Sequence, residues 1–130
     1  MKKVMVDFDN SINTNNCDID DAFALFFLLS HKDIEVIGIT TTFGNSTEDK
    51  SYDATIEMAR DLNINIPIIK GGIFSNEAAN FIKNTVDKEK VELISLGAIT
   101  NTMKALALGM DPNKLNSFIQ MGGITSPPRI

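Results

Sequence analysis

Five aspartates lie close together near the N-terminus, and no other residues in the chain have a spacing that points so strongly to chemistry. They are Asp7, Asp9, Asp18, Asp20 and Asp21. No Lys or Arg occurs between Lys3 and Lys32 to balance their charge. Carboxylates that a fold brings together without a cationic side chain either take up protons, with raised pKa values, or bind a cation from solution. Oxygen donors in this number suit a hard divalent cation, and they suit Ca²⁺ better than Mg²⁺, which keeps more of its waters.

Three of these acids also have a simpler, structural interpretation. Asp18 is a good N-cap for a helix over residues 19–30, and the two acids that follow it would complement the helix dipole. That helix is apolar almost all round and is predicted to be deeply buried. Asp7 and Asp9 are not explained in this way, because they end an apolar strand over residues 3–9 and share one of its faces.

Composition excludes several classes of function. The chain has 130 residues, enough for one domain with a real core. A net charge of −5 argues against binding to nucleic acid or to an anionic membrane, since both are polyanions. The longest apolar run, residues 22–29, is too short to cross a bilayer. No secretion signal is recognised and there is a single cysteine, so we expect a cytoplasmic protein.

The elements that must position the acids alternate between strand and helix. Strands are predicted over residues 3–9, 34–43, 66–69, 91–96 and 118–121, with helices from about residues 19, 46, 75 and 101. Short apolar strands separated by helices are typical of an open, mostly parallel sheet with helices on both faces. We therefore predict one Rossmann-like α/β domain over residues 1–130. Ligands bind such sheets beyond the carboxyl ends of the strands, which is where Asp7 and Asp9 lie.

Three more strand ends carry polar residues or glycines that would reach the same edge. They are the segments TTTFGN at 40–45, GAITN at 97–101 and MGG at 121–123. Each segment alone indicates no more than a strand followed by a turn. Together with the acids, they would line one edge of the sheet.

In their order along the chain, these segments resemble the nucleoside hydrolases of the inosine–uridine type. The resemblance rests on DFD at 7–9, DDA at 20–22, ITTTFGN at 39–45, LGAITN at 96–101 and MGG at 121–123. It implies a nucleoside hydrolase fold and hydrolysis of the N-glycosidic bond of a ribonucleoside to free base and ribose. It also implies a tightly bound Ca²⁺ that holds and acidifies the attacking water.

The resemblance assigns metal ligands. Asp9 would bind the cation and accept the proton of the water. Asp21 would be a second carboxylate ligand, and Thr100 would coordinate through its backbone carbonyl. Asp7 would not touch the metal but would hold Asp9 or Asp21 in place.

The resemblance also assigns substrate contacts and partners. Asp20 would bind a ribose hydroxyl, Asn45 would orient the water and the sugar, and Met121 would contact the substrate. The expected partner is a small ribonucleoside, as in purine and pyrimidine salvage. Neither nucleic acid nor a membrane is expected, and relatives of this type are commonly homo-oligomers.

The chain departs from the family pattern in three places. Additional residues occupy positions 10–17 inside the acidic box, and the family's His-containing loop after the third strand is missing. The family's members are also longer, so the chain resembles their N-terminal portion. The single histidine, His31, is expected at the surface, at the end of the first helix.

Two other interpretations stay open at this point. The segment VMVDFDNS at 4–11 also resembles phosphatases of the haloacid dehalogenase type. Asp7 would then be a nucleophile, Asp9 an acid/base and Mg²⁺ the metal, with Thr42 as the strand-end hydroxyl. The chain would otherwise be a truncated relative that binds metal without turnover.

Overall fold

Strands and helices alternate through the computed structural model, which describes residues 1–9, 20–42 and 48–120, without the side chains of 20–23 and 48. The elements are β1 (Lys2–Phe8), α1 (Asp20–Ser30), β2 (Ile34–Thr41), α2 (Glu48–Asp61), β3 (Ile68–Lys70), α3 (Glu77–Lys88), β4 (Glu92–Ser95), α4 (Thr100–Ala107) and β5 (Ser117–Gln120). The predicted elements are confirmed in kind and order, with ends that shift by a few residues. A short 3₁₀ turn at Pro112–Lys114, which the sequence pattern did not predict, precedes β5.

The strands form one parallel sheet in the order β3-β2-β1-β4-β5. The order reverses at β1, which pairs with β2 on one side and β4 on the other. Because all strands run the same way, their carboxyl ends meet at one edge of the sheet. The predicted open α/β fold is therefore confirmed, with the end of β1 at the centre of that edge.

Alternate residues of β1 face two separate hydrophobic cores, one on each side of the sheet. Val4, Val6 and Phe8 pack with apolar residues of α1 and α2. Met5 packs on the other side with apolar residues of α3 and α4. The period of two along the strand then places Asp7 and Asp9 on the α3 and α4 side.

Helix α1 is less buried than its sequence suggests. Leu25 and Leu28 are buried against the sheet, but Phe27 is 64% exposed. A helix laid on a sheet buries only the stripe that faces it, and among the described residues the outer side of α1 is not covered. The ring of Phe27 instead meets His31 edge-on, with 6.0 Å between ring centroids. His31 is exposed, as predicted, and its Nδ1 accepts a hydrogen bond from the Asp33 N–H at 3.1 Å.

Gly38 in β2 allows α3 to pack closely on the sheet. A Cβ at this position would lie 2.5 Å from Cε2 of Phe81. Since overpacking in a core typically costs about 1–3 kcal/mol, Gly38→Ala should lower the free energy of unfolding by about this amount, as measured by denaturant titration. In a Phe81→Leu background the same substitution should cost less. An equal cost in both backgrounds would contradict this account.

Candidate active site

Asp7 lies at the carboxyl end of β1 and is fully buried. The Thr40 hydroxyl donates a hydrogen bond to its Oδ1 at 2.5 Å, and the Asn101 side-chain amide donates to the same oxygen at 2.7 Å. Thr40 is its register partner in β2, while Asn101 comes from the first turn of α4. Three elements therefore hold this one carboxyl group.

Burial raises the pKa of Asp7 from its ordinary value to about 6. The hydrogen bonds from Thr40 and Asn101 oppose this rise, and the negative charge of Asp9 adds to it. The second oxygen, Oδ2, is buried and has no hydrogen-bond partner among the described residues. Buried polar atoms are nearly always satisfied, so this oxygen is expected to meet a water molecule, a cation or a group outside the described residues.

Asp9 follows β1 directly and is 3% exposed. The chain leaving β4 passes close to it at Gly97, where a Cβ would lie 3.2 Å from the Asp9 nitrogen and 3.3 Å from its Oδ1. The same Cβ would lie 3.1 Å from Cγ2 of Thr42. Glycine at this position lets the chain that leaves β4 lie close to Asp9.

Two hydroxyl groups at neighbouring strand ends add to the polar character of this edge. The Ser95 and Thr42 hydroxyls are buried, and neither has a hydrogen-bond partner in the described ranges. Ser95 is the register partner of Asp7 in β4, and parallel register partners share a face. Unpaired oxygens of this kind suit bound water or a hard cation.

Asn101 is the residue that the sequence analysis missed. The sequence pattern included it only as the last residue of the segment GAITN and assigned it no role, yet its side chain is fully buried. Its amide nitrogen also donates to the Thr41 carbonyl at 3.0 Å, and its oxygen accepts from the Gly72 N–H at 2.8 Å. The available signal was a polar amide in the first turn of a short helix, directly after a strand end.

The other predicted site residues are only partly described. Thr100 begins α4 beside Asn101 and is partly buried, so it lies at the same edge. Asp20 and Asp21 begin α1, which places their backbone but not their side chains. Outside the described residues lie Asn45, Met121 and the predicted cap Asp18. Within the described ranges, no three His, Cys, Asp or Glu residues converge as metal ligands.

None of the helices in the described part of the chain has the length and apolar character needed to span a membrane.

Comparisons with known proteins point to one family and one fold. The family model described as inosine-uridine preferring nucleoside hydrolase matches residues 4–76, which include Asp7, Asp9 and β2. A pyrimidine-specific ribonucleoside hydrolase, RihB of Escherichia coli strain SE11, is 31% identical over 70 residues, covering 54% of this chain and 20% of RihB. RihB of Escherichia coli O1:K1 is 36% identical over 52 residues, covering 40% of this chain and 17% of RihB.

A solved structure extends the likeness to almost the whole chain. An inosine-guanosine nucleoside hydrolase superimposes with a TM-score of 0.79 at 20% sequence identity, over 95% of this chain and 50% of that one. At this identity the superposition shows a shared fold. The chain thus spans about half the length of that relative, and the aligned segment is about a fifth of RihB.

Proposed function

We propose that this chain, which belongs to the inosine-uridine preferring nucleoside hydrolase family, forms part of the active site of an enzyme that hydrolyses ribonucleosides to base and ribose. The observation that carries the proposal is the buried pair Asp7 and Asp9 at the carboxyl end of β1. It lies inside the segment that the family model matches, at the edge where parallel sheets bind ligands.

Ca²⁺ is the metal that we propose for this site. The donors are all hard oxygen atoms, and the Oδ2 of Asp7, which has no hydrogen-bond partner among the described residues, supports the presence of a cation at this edge. Asp9, Asp21 and the backbone carbonyl of Thr100 would hold the ion. When bound, it would supply Lewis acidity that lowers the pKa of a water molecule.

The chemistry then depends on what the chain's own residues do. Asp9, almost excluded from solvent, would accept the proton of the attacking water. Asp20 would bind a ribose hydroxyl, Asn45 would orient the water and the sugar, and Met121 would contact the substrate. The transition state at the ribose has oxocarbenium character, so fixed carboxylates nearby lower its energy.

The phosphatase alternative is disfavoured by the surroundings of Asp7. A nucleophilic carboxylate must reach its substrate, but Asp7 is fully buried and its Oδ1 already accepts two hydrogen bonds. This geometry suits a residue that holds its neighbours in place. The other alternative is a relative that binds metal without turnover, and an activity measurement distinguishes it from an active hydrolase.

The test is release of reducing sugar from inosine and from uridine by the whole protein, with Ca²⁺ and after chelation. We expect turnover that chelation removes and added Ca²⁺ restores. A generic phosphate ester with Mg²⁺ is the parallel assay. The absence of hydrolysis of any nucleoside with Ca²⁺ present would refute the proposal, and phosphate release abolished by Asp7→Asn would favour the phosphatase.

Calorimetry separates metal binding from turnover. Asp21→Ala should remove Ca²⁺ binding, because a carboxylate ligand is lost. Asp61→Ala is a matched control, since this aspartate is exposed at the end of α2 and should leave the affinity unchanged. Unchanged Ca²⁺ affinity in Asp21→Ala would contradict the proposed ligand set.

A further inference from the structure

We infer that Asn101 is a positioning residue for the metal site, acting through the carboxyl group of Asp7. The inference rests on the proposed function, because it concerns the same acidic edge. Asn101 does not belong to the proposed ligand set and is not proposed to touch the substrate. Its effect is to fix which oxygen of the Asp7 carboxyl group remains without a hydrogen bond, and to hold the end of β1 in place.

The amide of Asn101 makes three hydrogen bonds, which use both of its N–H groups and one of the two acceptor positions of its oxygen. Its two N–H groups go to Asp7 Oδ1 and to the Thr41 carbonyl, and its oxygen accepts from the Gly72 N–H. If the amide were turned over, its oxygen would face the two acceptors, Asp7 Oδ1 and the Thr41 carbonyl, and its NH₂ group would face the donor, the Gly72 N–H. Only the observed orientation therefore forms these hydrogen bonds. One buried side chain on α4 therefore ties together the ends of β1 and β2 and the loop that follows β3.

This arrangement determines the geometry of the Asp7 carboxyl group. Both of its side-chain hydrogen bonds within the described ranges, from Thr40 and from Asn101, go to Oδ1. The rotation of the group is fixed in this way, and Oδ2 is left as the oxygen without a partner among the described residues. Without Asn101, the carboxyl group could turn about its bond and exchange the two oxygens. Asp9 is two residues further on the same face, so it would be disturbed with Asp7.

Gly71 provides an independent way to displace the same amide. A Cβ on Gly71 would lie 2.4 Å from Oδ1 and 2.6 Å from Nδ2 of Asn101, and 2.5 Å from Cβ of Ala78. Gly71→Ala therefore pushes on the buried amide while removing no polar group. If Asn101 positions Asp7, this remote methyl group should weaken the metal site.

Lys104 offers a matched control on the same helix. Its Nζ donates to the carbonyls of Gly72 at 2.6 Å and Ile73 at 2.7 Å, so it holds the same loop that Asn101 contacts. None of the described hydrogen bonds of Lys104 goes to an acid of the site. Lys104→Met thus loosens the loop but removes no hydrogen-bonding group of Asn101 or Asp7.

The experiment is calorimetric titration of Ca²⁺ into the whole protein. Loss of a residue that directly supports a metal ligand typically weakens metal binding by about 10–100-fold, and Asn101 acts one contact further from the ion, through Asp7, so its loss should lie near tenfold. We expect this loss for Asn101→Ala and for Gly71→Ala, and a further loss well below tenfold when the two are combined, because they act on one contact. Asn101→Ser, which keeps one donor, should fall between Asn101→Ala and the unmodified protein. Lys104→Met should bind within about twofold of the unmodified protein.

Kinetics supply a second readout. Replacing a residue that positions the metal and the water should lower kcat and leave KM for the nucleoside nearly unchanged. Circular dichroism establishes whether each variant is folded. If Asn101→Ala does not fold, Gly71→Ala provides the test. Unchanged Ca²⁺ affinity in folded Asn101→Ala and Gly71→Ala would overturn the inference. An equal loss in Lys104→Met would also overturn it, because the effect would then belong to the loop.

Failure of the proposed function looks different. If the unmodified protein binds Ca²⁺ but hydrolyses no nucleoside, the proposed activity is wrong, and the calorimetric comparison still decides the role of Asn101. If it binds no Ca²⁺, the role of Asn101 in a metal site is overturned as well.

Discussion

Asp9→Asn should reduce hydrolysis of inosine and uridine by the whole protein by about 10²–10⁴-fold, the range typical for loss of a general base. The amide keeps the size of the carboxylate but cannot accept a proton from water. It is also a weaker ligand for a hard cation. Because Asp9 is 3% exposed, bulk solvent is poorly placed to replace it as proton acceptor. The measurement is kcat and KM at saturating Ca²⁺.

Asp33→Asn is the matched control for this prediction. Asp33 is exposed in the turn between α1 and β2, so the same change in charge and shape occurs away from the site. Its kcat should equal that of the unmodified protein. Asp9→Asn with more than a tenth of the original kcat would show that another group accepts the proton.

The second large effect concerns Asp7 and the pH dependence of stability in the presence of a chelator. Burial raises the pKa of Asp7 to about 6, so between pH 4 and pH 6 the folded protein holds a proton that the unfolded chain has released. The stability contributed by this proton is complete below pH 4 and is lost as the pH rises through 6. The loss should approach about 3 kcal/mol, since one pKa unit corresponds to about 1.4 kcal/mol.

Asp7→Asn should remove most of this pH dependence. Its side-chain oxygen can accept from Thr40 and Asn101 as Oδ1 does, and the group carries no charge to bury. We expect urea titrations at pH 4.5, 5.5 and 7 to give a falling free energy of unfolding for the unmodified chain and a flatter one for the variant. Asp61→Asn should keep the original slope. If Asp7→Asn kept that slope as well, the titrating group would lie elsewhere.

At pH 7 with a chelator, Asp7→Asn should be more stable than the unmodified protein, because it buries no charge. Saturating Ca²⁺ should make the unmodified protein the more stable of the two. An ionised Asp7 beside a cation is favourable, so the ion should stabilise the unmodified protein more than Asp7→Asn. Comparing stability with and without Ca²⁺ separates the cost of burying the Asp7 charge from its contribution to binding the ion. If Ca²⁺ stabilised both proteins equally, Asp7 would not contribute to the metal site.

Much of the fold could be predicted because it depends on local pattern. The run of apolar residues in β1 and the regular alternation of strand and helix are visible in the sequence, and they restrict the topology to a parallel sheet. The burial of α1 was overestimated, because its composition does not reveal that only one stripe meets the sheet. Phe27 is the residue that shows this.

The site was predictable only where its residues are close in sequence. Asp7 and Asp9 share a face because they are two apart on one strand. Asn101 was missed because its contact with Asp7 joins residues 94 positions apart, and the pairing depends on how α4 packs. The close approach of Gly97 to Asp9 was also invisible in the sequence, since it depends on how the chain that leaves β4 packs against the end of β1. Contacts of this kind are set by packing, which the period of a single segment does not encode.

The central place of β1 also has a consequence for synthesis on the ribosome. Its residues are translated before those of both of its partners, β2 and β4, and Val4 has Glu92 as its partner. The nascent strand therefore has no partner on its β4 side until β4 has been synthesised. Such long-range parallel pairing slows folding. The step that completes the central pairing, and with it the hydrogen bond from Asn101 to Asp7, becomes possible only after α4 has left the exit tunnel.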